Sequence, residues 1–158
     1  MIVIRTRHLL VDGANLLHAW PDLCALTRAD RAAARALLVR RLAVLHDQAD
    51  WRVTVVFDGR GPDLVVETIG GQPTFAAVTT PAALTADDVI EQLVGKAADP
   101  AGCTIATGDR AEAQTVTALG AQTLSPADLA AWIERVAARQ DAHLDSLRRD
   151  NDHRWKHA

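Results

Sequence analysis

Three short apolar runs in this chain each stop at an acidic residue beside a glycine, and helix-like segments separate them. The first, HLLVD at 8–12, is followed by Gly13; the second, RVTVVF at 52–57, leads into Asp58-Gly59; the third, CTIAT at 103–107, leads into Gly108-Asp109. Strands that alternate with helices need crossover connections, which are right-handed and set the strands parallel. A continuous apolar, β-branched run such as 52–57 is the pattern of a strand covered on both faces. The expected fold class is therefore α/β, with a central, mostly parallel sheet flanked by helices. In such sheets ligands bind outside the carboxyl ends of the strands, and Asp12, Asp58 and Asp109 are expected along that one edge.

The remaining elements fill in around these strands. Residues 13–20 read as a first helix that ends before Pro21, and Ala34, Leu37, Leu38, Leu42 and Leu45 recur at helical spacing, which predicts one long helix from Arg28 to about Gln48. Two weaker strand candidates, LVVETI and TFAAV, are broken by Gly70-Gly71. Thr85, with Asp88 three residues on, resembles a capping box and opens a helix to about Asp99. A short helix from about Asp109 precedes a small strand, AQTL, and Ser125-Pro126 then opens a last helix to about Arg148. The opening stretch MIVIRTRHLL is read as strand-like.

At 158 residues, 49% hydrophobic and 23% charged, the chain has the size and balance of one folded domain. It holds neither a long apolar span nor the apolar core of a signal peptide, so the expected compartment is the cytoplasm, with no membrane partner. Cys24 and Cys103 are too few for a disulfide framework and are read as reduced, buried small hydrophobes. A net charge of -3 argues against a broadly basic nucleic-acid coat. The terminus is locally basic, with Arg148, Arg149, Arg154 and Lys156 among His153, Trp155 and His157, and reads as a solvated tail available for phosphate contact.

Taken singly, each acid has an ordinary structural use: Asp109 as a helix cap, Asp12 and Asp58 in Asp-Gly turns, Asp87 and Asp88 at a helix N-terminus. Their joint placement asks for more. Asp87 and Glu91 are four residues apart on one helix face, beside the apolar stripe of Ile90, Val94 and Ala97. Carboxylates gathered there repel one another unless a cation or proton is shared. Oxygen-only ligands favour Mg²⁺ or Mn²⁺ over zinc, and such ions serve phosphate chemistry, which points to hydrolysis of a nucleic-acid strand. Asn15 is either an N-cap or an amide that orients a water or phosphate oxygen. Thr107 reads as an ordinary strand end ahead of a hydroxyl offered to a metal shell.

With these residues in view, VDGAN (11–15), VVFDGRG (55–61), TADDVIEQL (85–93), ATGDRAEAQ (106–114) and GAQTLSPADL (120–129) together resemble the YacP-like branch of the NYN domains, relatives of the PIN-domain nucleases. The resemblance runs from about His8 to Ala138. It implies a PIN-like three-layer sandwich, an Mg²⁺- or Mn²⁺-dependent endoribonuclease site and, as in one branch, association with translating ribosomes. Carried over by motif, Asp12 and Asn15 match the opening acid and amide, Asp58 the acid of the second strand, Asp87 and Glu91 the helical acids, and Asp109 the acid of a T-x-D element. Where the family commonly has Ser, this chain has Gly108, which removes a hydroxyl and is expected to loosen the backbone. The expected organisation is a PIN-like, NYN nuclease domain over 1–148 and a basic, flexible tail over 149–158.

The resulting expectation is a metal-dependent endoribonuclease with Asp12, Asn15, Asp87, Glu91 and Asp109 as catalytic residues and Asp12, Asp58, Asp87 and Asp109 as metal ligands. Arg60 and Arg110 are expected to contact RNA phosphates at the same edge, and Arg28, Arg31 and Arg35 read as a basic rim or a solvated face. The alternative is a non-catalytic RNA- or ribosome-binding adaptor, although a binder of phosphate gains nothing from a cluster of acids. A phosphohydrolase for small nucleotides is disfavoured by the lack of a P-loop or GxGxxG signature. The histidines show no metal-ligand pairing, and His18 is the one close in sequence to the site. Trp20 is read as a packing residue ahead of a base-stacking one, and Trp51 and Trp132 as core.

Overall fold

The computed structural model describes residues 7–156; the strand-like reading of the opening stretch falls for residues 1–6, and that of His157 falls wholly, outside the described residues. A six-stranded sheet is built from β1 (His8–Asp12), β2 (Arg52–Phe57), β3 (Val65–Ile69), β4 (Gln72–Thr79), β5 (Cys103–Ala106) and β6 (Gln122–Leu124), in the order β3-β4-β2-β1-β5-β6. Every pairing is parallel except β3 with β4. That antiparallel pair is a hairpin turned at Gly70 and Gly71, both with positive φ (61° and 69°), a conformation that favours glycine.

Alternation along β1 divides the core. Leu9 and Val11 face one layer, where α1 (Gly13–Ala19), α2 (Pro21–Ala29), α3 (Arg31–Gln48) and α6 (Pro126–Lys156) supply Leu16, Leu23, Leu38, Leu42, Leu45 and Leu129. Leu10 faces the other layer, where α4 (Ala86–Lys96) and α5 (Arg110–Ala118) supply Ile90, Val94 and Val116. The three-layer α/β architecture expected from the strand pattern is the one observed.

Several boundaries differ from the sequence reading. Pro21 ends α1 but also opens α2 as its first helical residue, where its missing N–H costs nothing. Asp30 then caps α3 by accepting from the Ala33 N–H, so the helix expected from Arg28 is two helices meeting at Asp30. The last helix passes Arg148 and runs to Lys156, since the intervening sequence holds no Gly or Pro and His153, Arg154 and Lys156 suit a helix C-terminus. Trp20 is buried, its indole N–H bonded to the Pro126 carbonyl at 3.0 Å, which fits the packing reading. Trp51 and Trp132 are only half-buried and meet edge to face at 5.3 Å, at the rim of the core and not inside it. Cys24 is likewise half-buried, whereas Cys103 is buried; both are free thiols. No helix among the described residues is long and apolar enough to cross a membrane.

The turn from β1 into α1 is closely packed. A Cβ on Gly13 would lie 2.5 Å from Phe57 Cδ1 and 2.8 Å from the Val56 carbonyl oxygen, so only glycine lets the chain turn there against β2. Gly13→Ala is expected to lower the unfolding free energy by about 1–3 kcal/mol, the scale of core overpacking, as a shift in the urea midpoint. An unchanged midpoint contradicts this packing.

Candidate active site

Each of three neighbouring elements delivers one acid to the carboxyl edge of the sheet. Asp12 is the last residue of β1, opposite Val56 of β2, and is 4% exposed. Its Oδ1 accepts the Asn15 N–H at 3.1 Å, which makes it the N-cap of α1. Asp87 stands in the first turn of α4. That turn is fixed by a full capping box, in which the Thr85 hydroxyl accepts from the Asp88 N–H and the Asp88 carboxylate accepts from the Thr85 N–H. Asp58 adds a further clamp, its Oδ1 accepting the Ala86 N–H at 2.8 Å. The third acid is Glu112, in the first turn of α5 and 2% exposed.

Glu112 is held by its own loop. The Thr107 hydroxyl donates to Glu112 Oε2 at 2.8 Å and accepts the Asp109 N–H at 3.1 Å, while Asp109 Oδ1 caps α5 by accepting the N–H groups of Ala111 and Glu112. The other carboxylate oxygen, Glu112 Oε1, is buried without a hydrogen-bond partner. Oxygens of Asp12, Asp87 and Glu112 lie within 4.8 Å of one another.

The electrostatic consequence follows from burial and like charge. Loss of hydration, and then contact with Asp12, push the Glu112 carboxyl up to about 9. The same two causes raise Asp87 to about 6, and the charge of Asp109 adds to the shift. At neutral pH Glu112 therefore keeps its proton unless a cation takes that proton's place. Three convergent carboxylates, one of them with a buried and unpaired oxygen, are an all-oxygen donor set, which fits a hard divalent cation such as Mg²⁺ or Mn²⁺.

The sequence-expected residues divide around this trio. Asp12 and Asp87 belong to it; Asp58, Glu91 and Asp109 do not. Asp58 is exposed and spends Oδ1 on α4, Asp109 caps α5 beside the trio, and Glu91 sits half-buried one helical turn beyond Asp87. Asn15 is not the helix cap; its side-chain carbonyl accepts the Gly108 N–H at 2.7 Å and ties the first turn of α1 to the loop after β5. Gly108, where a looser backbone is expected, is held by that bond, and an added Cβ would stand 3.2 Å from Asn15 Oδ1 and 3.4 Å from Pro126 Cγ. Arg60 and Arg110 are exposed, in the loop after β2 and at the start of α5. His8 and His46 bond the hydroxyls of Thr54 and Thr74 and lie outside the acid trio, as do the other described histidines.

Glu112 was not among the expected site residues. Three residues after a capping Asp, it has the sequence position of an ordinary capping glutamate. The available signal was its spacing of four from Val116, which places it on the buried face of α5.

Comparison with known proteins agrees with this architecture. The model of the YacP-like NYN domain matches residues 9–158. The crystal structure of Rae1 (YacP) from Bacillus subtilis is similar with a TM-score of 0.73 and 27% identity, over 90% of this chain and 82% of that one. A point mutant of the same Bacillus subtilis protein gives a TM-score of 0.73 and 27% identity, over 89% and 83%. No protein in the curated set matches.

Glu112 sets a pH dependence whose sign is fixed by linkage. Its carboxyl titrates near 4.5 when unfolded and near 9 when folded, so between those values the folded protein keeps a proton that the unfolded chain has lost. The contribution of Glu112 to the stability of the metal-free protein is then fully present below about 4.5 and is lost as pH rises towards about 9. Glu112→Gln is expected to flatten that decline and to raise the metal-free thermal midpoint at mildly alkaline pH. A wild-type midpoint that climbs with pH across this window contradicts the assignment.

Proposed function

The chain belongs to the YacP-like NYN domain family, a family of nucleases, and on that footing we propose that it is a metal-dependent endoribonuclease that hydrolyses RNA phosphodiester bonds. The observation that carries this reading is the convergence of Asp12, Asp87 and Glu112 within 4.8 Å, with Glu112 Oε1 buried and unpaired. These three carboxylates would hold Mg²⁺ or Mn²⁺. A divalent cation held there supplies charge stabilisation at phosphate oxygens and a more acidic water.

The surrounding residues keep the donors in place. Thr107 fixes one oxygen of Glu112 and leaves the other without a partner, Asp58 and the Thr85–Asp88 box hold the turn that bears Asp87, and Asn15 locks the first turn of α1 to the loop after β5. Asp109 and Glu91 are assigned a supporting place beside the trio, adding negative charge that favours cation binding. Arg60 and Arg110 would meet phosphates of the strand. The products are RNA fragments with 5′-phosphate and 3′-hydroxyl ends, and ribosome-associated RNA is one setting for the substrate.

The test is cleavage of labelled single-stranded and structured RNAs by the purified protein with Mg²⁺, Mn²⁺ or EDTA, in parallel with Asp12→Asn, Asp87→Asn and Glu112→Gln variants checked for folding. Metal-dependent cleavage that falls by roughly 10²-fold or more in each variant is expected, the scale on which transition-state charge stabilisation is lost. A wild-type protein that cleaves no RNA with either metal, free or on translating ribosomes, points instead to an RNA- or ribosome-binding adaptor.

A further inference from the structure

A second feature of the same sheet edge is left unused by the acid trio. Where α1, α2 and α3 meet the end of β2, a cavity of about 250 Å³ is lined by Leu17, His18, Arg28, Arg31, Arg35 and Phe57. Its volume falls below the roughly 300–1,000 Å³ of sites that enclose small organic ligands. A single phosphate group with part of its sugar is a closer match than a free cofactor.

Charge is the distinctive property of this cavity. Arg28 lies in the last turn of α2, Arg31 opens α3 and Arg35 follows one turn later, so three arginines line one cavity at the α2–α3 junction. None of the three forms a salt bridge among the described residues. One acidic residue, Asp58, lines the cavity, and its carboxylate already accepts the Ala86 N–H. Arg31 also stands in the first turn of a helix, where the dipole disfavours a cation. Such an arrangement is unfavourable by itself and is relieved by an anion.

Arg35 is built into the wall. Its Nη2 donates to the Asp58 carbonyl at 2.7 Å and its guanidinium lies 4.9 Å over the Phe57 ring, yet its Nε is buried with no hydrogen-bond partner. Burial and the charge of Arg31 both hold its pKa below the usual arginine value, the direction expected where like charges are gathered. Asp58 joins the two sites. Its carbonyl holds Arg35 in the cavity wall, and its side chain holds the first turn of α4, which carries Asp87.

We propose that this arginine-lined cavity is a phosphate-binding subsite for the RNA strand, engaging a backbone phosphate a short distance along the chain from the bond held at Asp12, Asp87 and Glu112. The subsite rests on the nuclease reading of those acids for its position on the strand. Arg28 and Arg31 bear the phosphate contact, Arg35 backs them with fixed charge, and His18 lines the mouth as an added donor. Contacts of this kind hold the register of a strand without reading its sequence.

The test is binding of a fluorescein-labelled, short single-stranded oligoribonucleotide to the full chain in EDTA, followed by anisotropy across a salt series. Arg28 and Arg31 are exposed, so the Arg28→Gln/Arg31→Gln double variant retains the fold, which circular dichroism checks. Affinity is expected to fall about 10-fold or more at low salt, and the slope of log K against log salt to become shallower by about 0.7 for each phosphate contact removed. Absence of binding by the wild type, or affinity and slope in the double variant within about two-fold of wild type, overturns the subsite. A protein that binds the oligoribonucleotide through these arginines but cleaves no RNA retains the subsite and overturns the nuclease reading. One that cleaves RNA while the double variant binds and cleaves as the wild type does retains the nuclease reading alone.

Discussion

Bringing three carboxylates within 4.8 Å of one another at a buried sheet edge opposes folding unless something positive shares the space. Much of the architecture around that edge is arranged to hold them there. Parallel pairing of β1 with β2 and β5 sets Asp12 level with the ends of its neighbours, and the two crossover helices α4 and α5 begin at the same edge with Asp87 and Glu112 in their first turns. Helix N-termini are suitable places for such acids, because their unpaired N–H groups and dipole offset part of the negative charge. Burial then works against the charge and, with the charge of Asp12, raises the Glu112 and Asp87 carboxyls.

The acids outside the trio have a different physical role. Asp58, Asp109 and Asp88 accept backbone N–H groups at the starts of α4 and α5, so they fix the direction from which the trio approaches. Asn15 extends the same logic across the chain by pinning Gly108, more than ninety residues away, to the turn after β1. Positioning of this kind matters because a group displaced by an ångström loses much of its chemical value. The division between acids that face the site and acids that hold helices cannot be made from residue type alone.

Much of the fold was legible in the sequence for local reasons. Continuous apolar runs at β1, β2 and β5, the Gly70-Gly71 turn, the Thr85–Asp88 box and Ser125-Pro126 each act over a few residues and were read correctly. The readings that failed depended on contacts distant in sequence or on residues with two meanings. Pro21 both stops one helix and starts another, and Asp30 breaks what periodicity alone makes continuous. Glu112 was not singled out, because it occupies the position of an ordinary capping glutamate; that it turns inward depends on the Thr107 hydroxyl and the packing of Val116. Arg35 resembled surface charge, and only the fold lays it over Phe57 and against the Asp58 carbonyl.

The central claim, that Asp12, Asp87 and Glu112 form a site for a divalent cation, is tested most directly by calorimetric titration of Mn²⁺ into the metal-free protein and its Glu112→Gln variant, with no RNA present. The account predicts saturable binding to the wild type, accompanied by proton release as the raised carboxyls ionise, and its loss in the variant. Mn²⁺ that fails to bind the wild type, or binds the variant equally well, would contradict it.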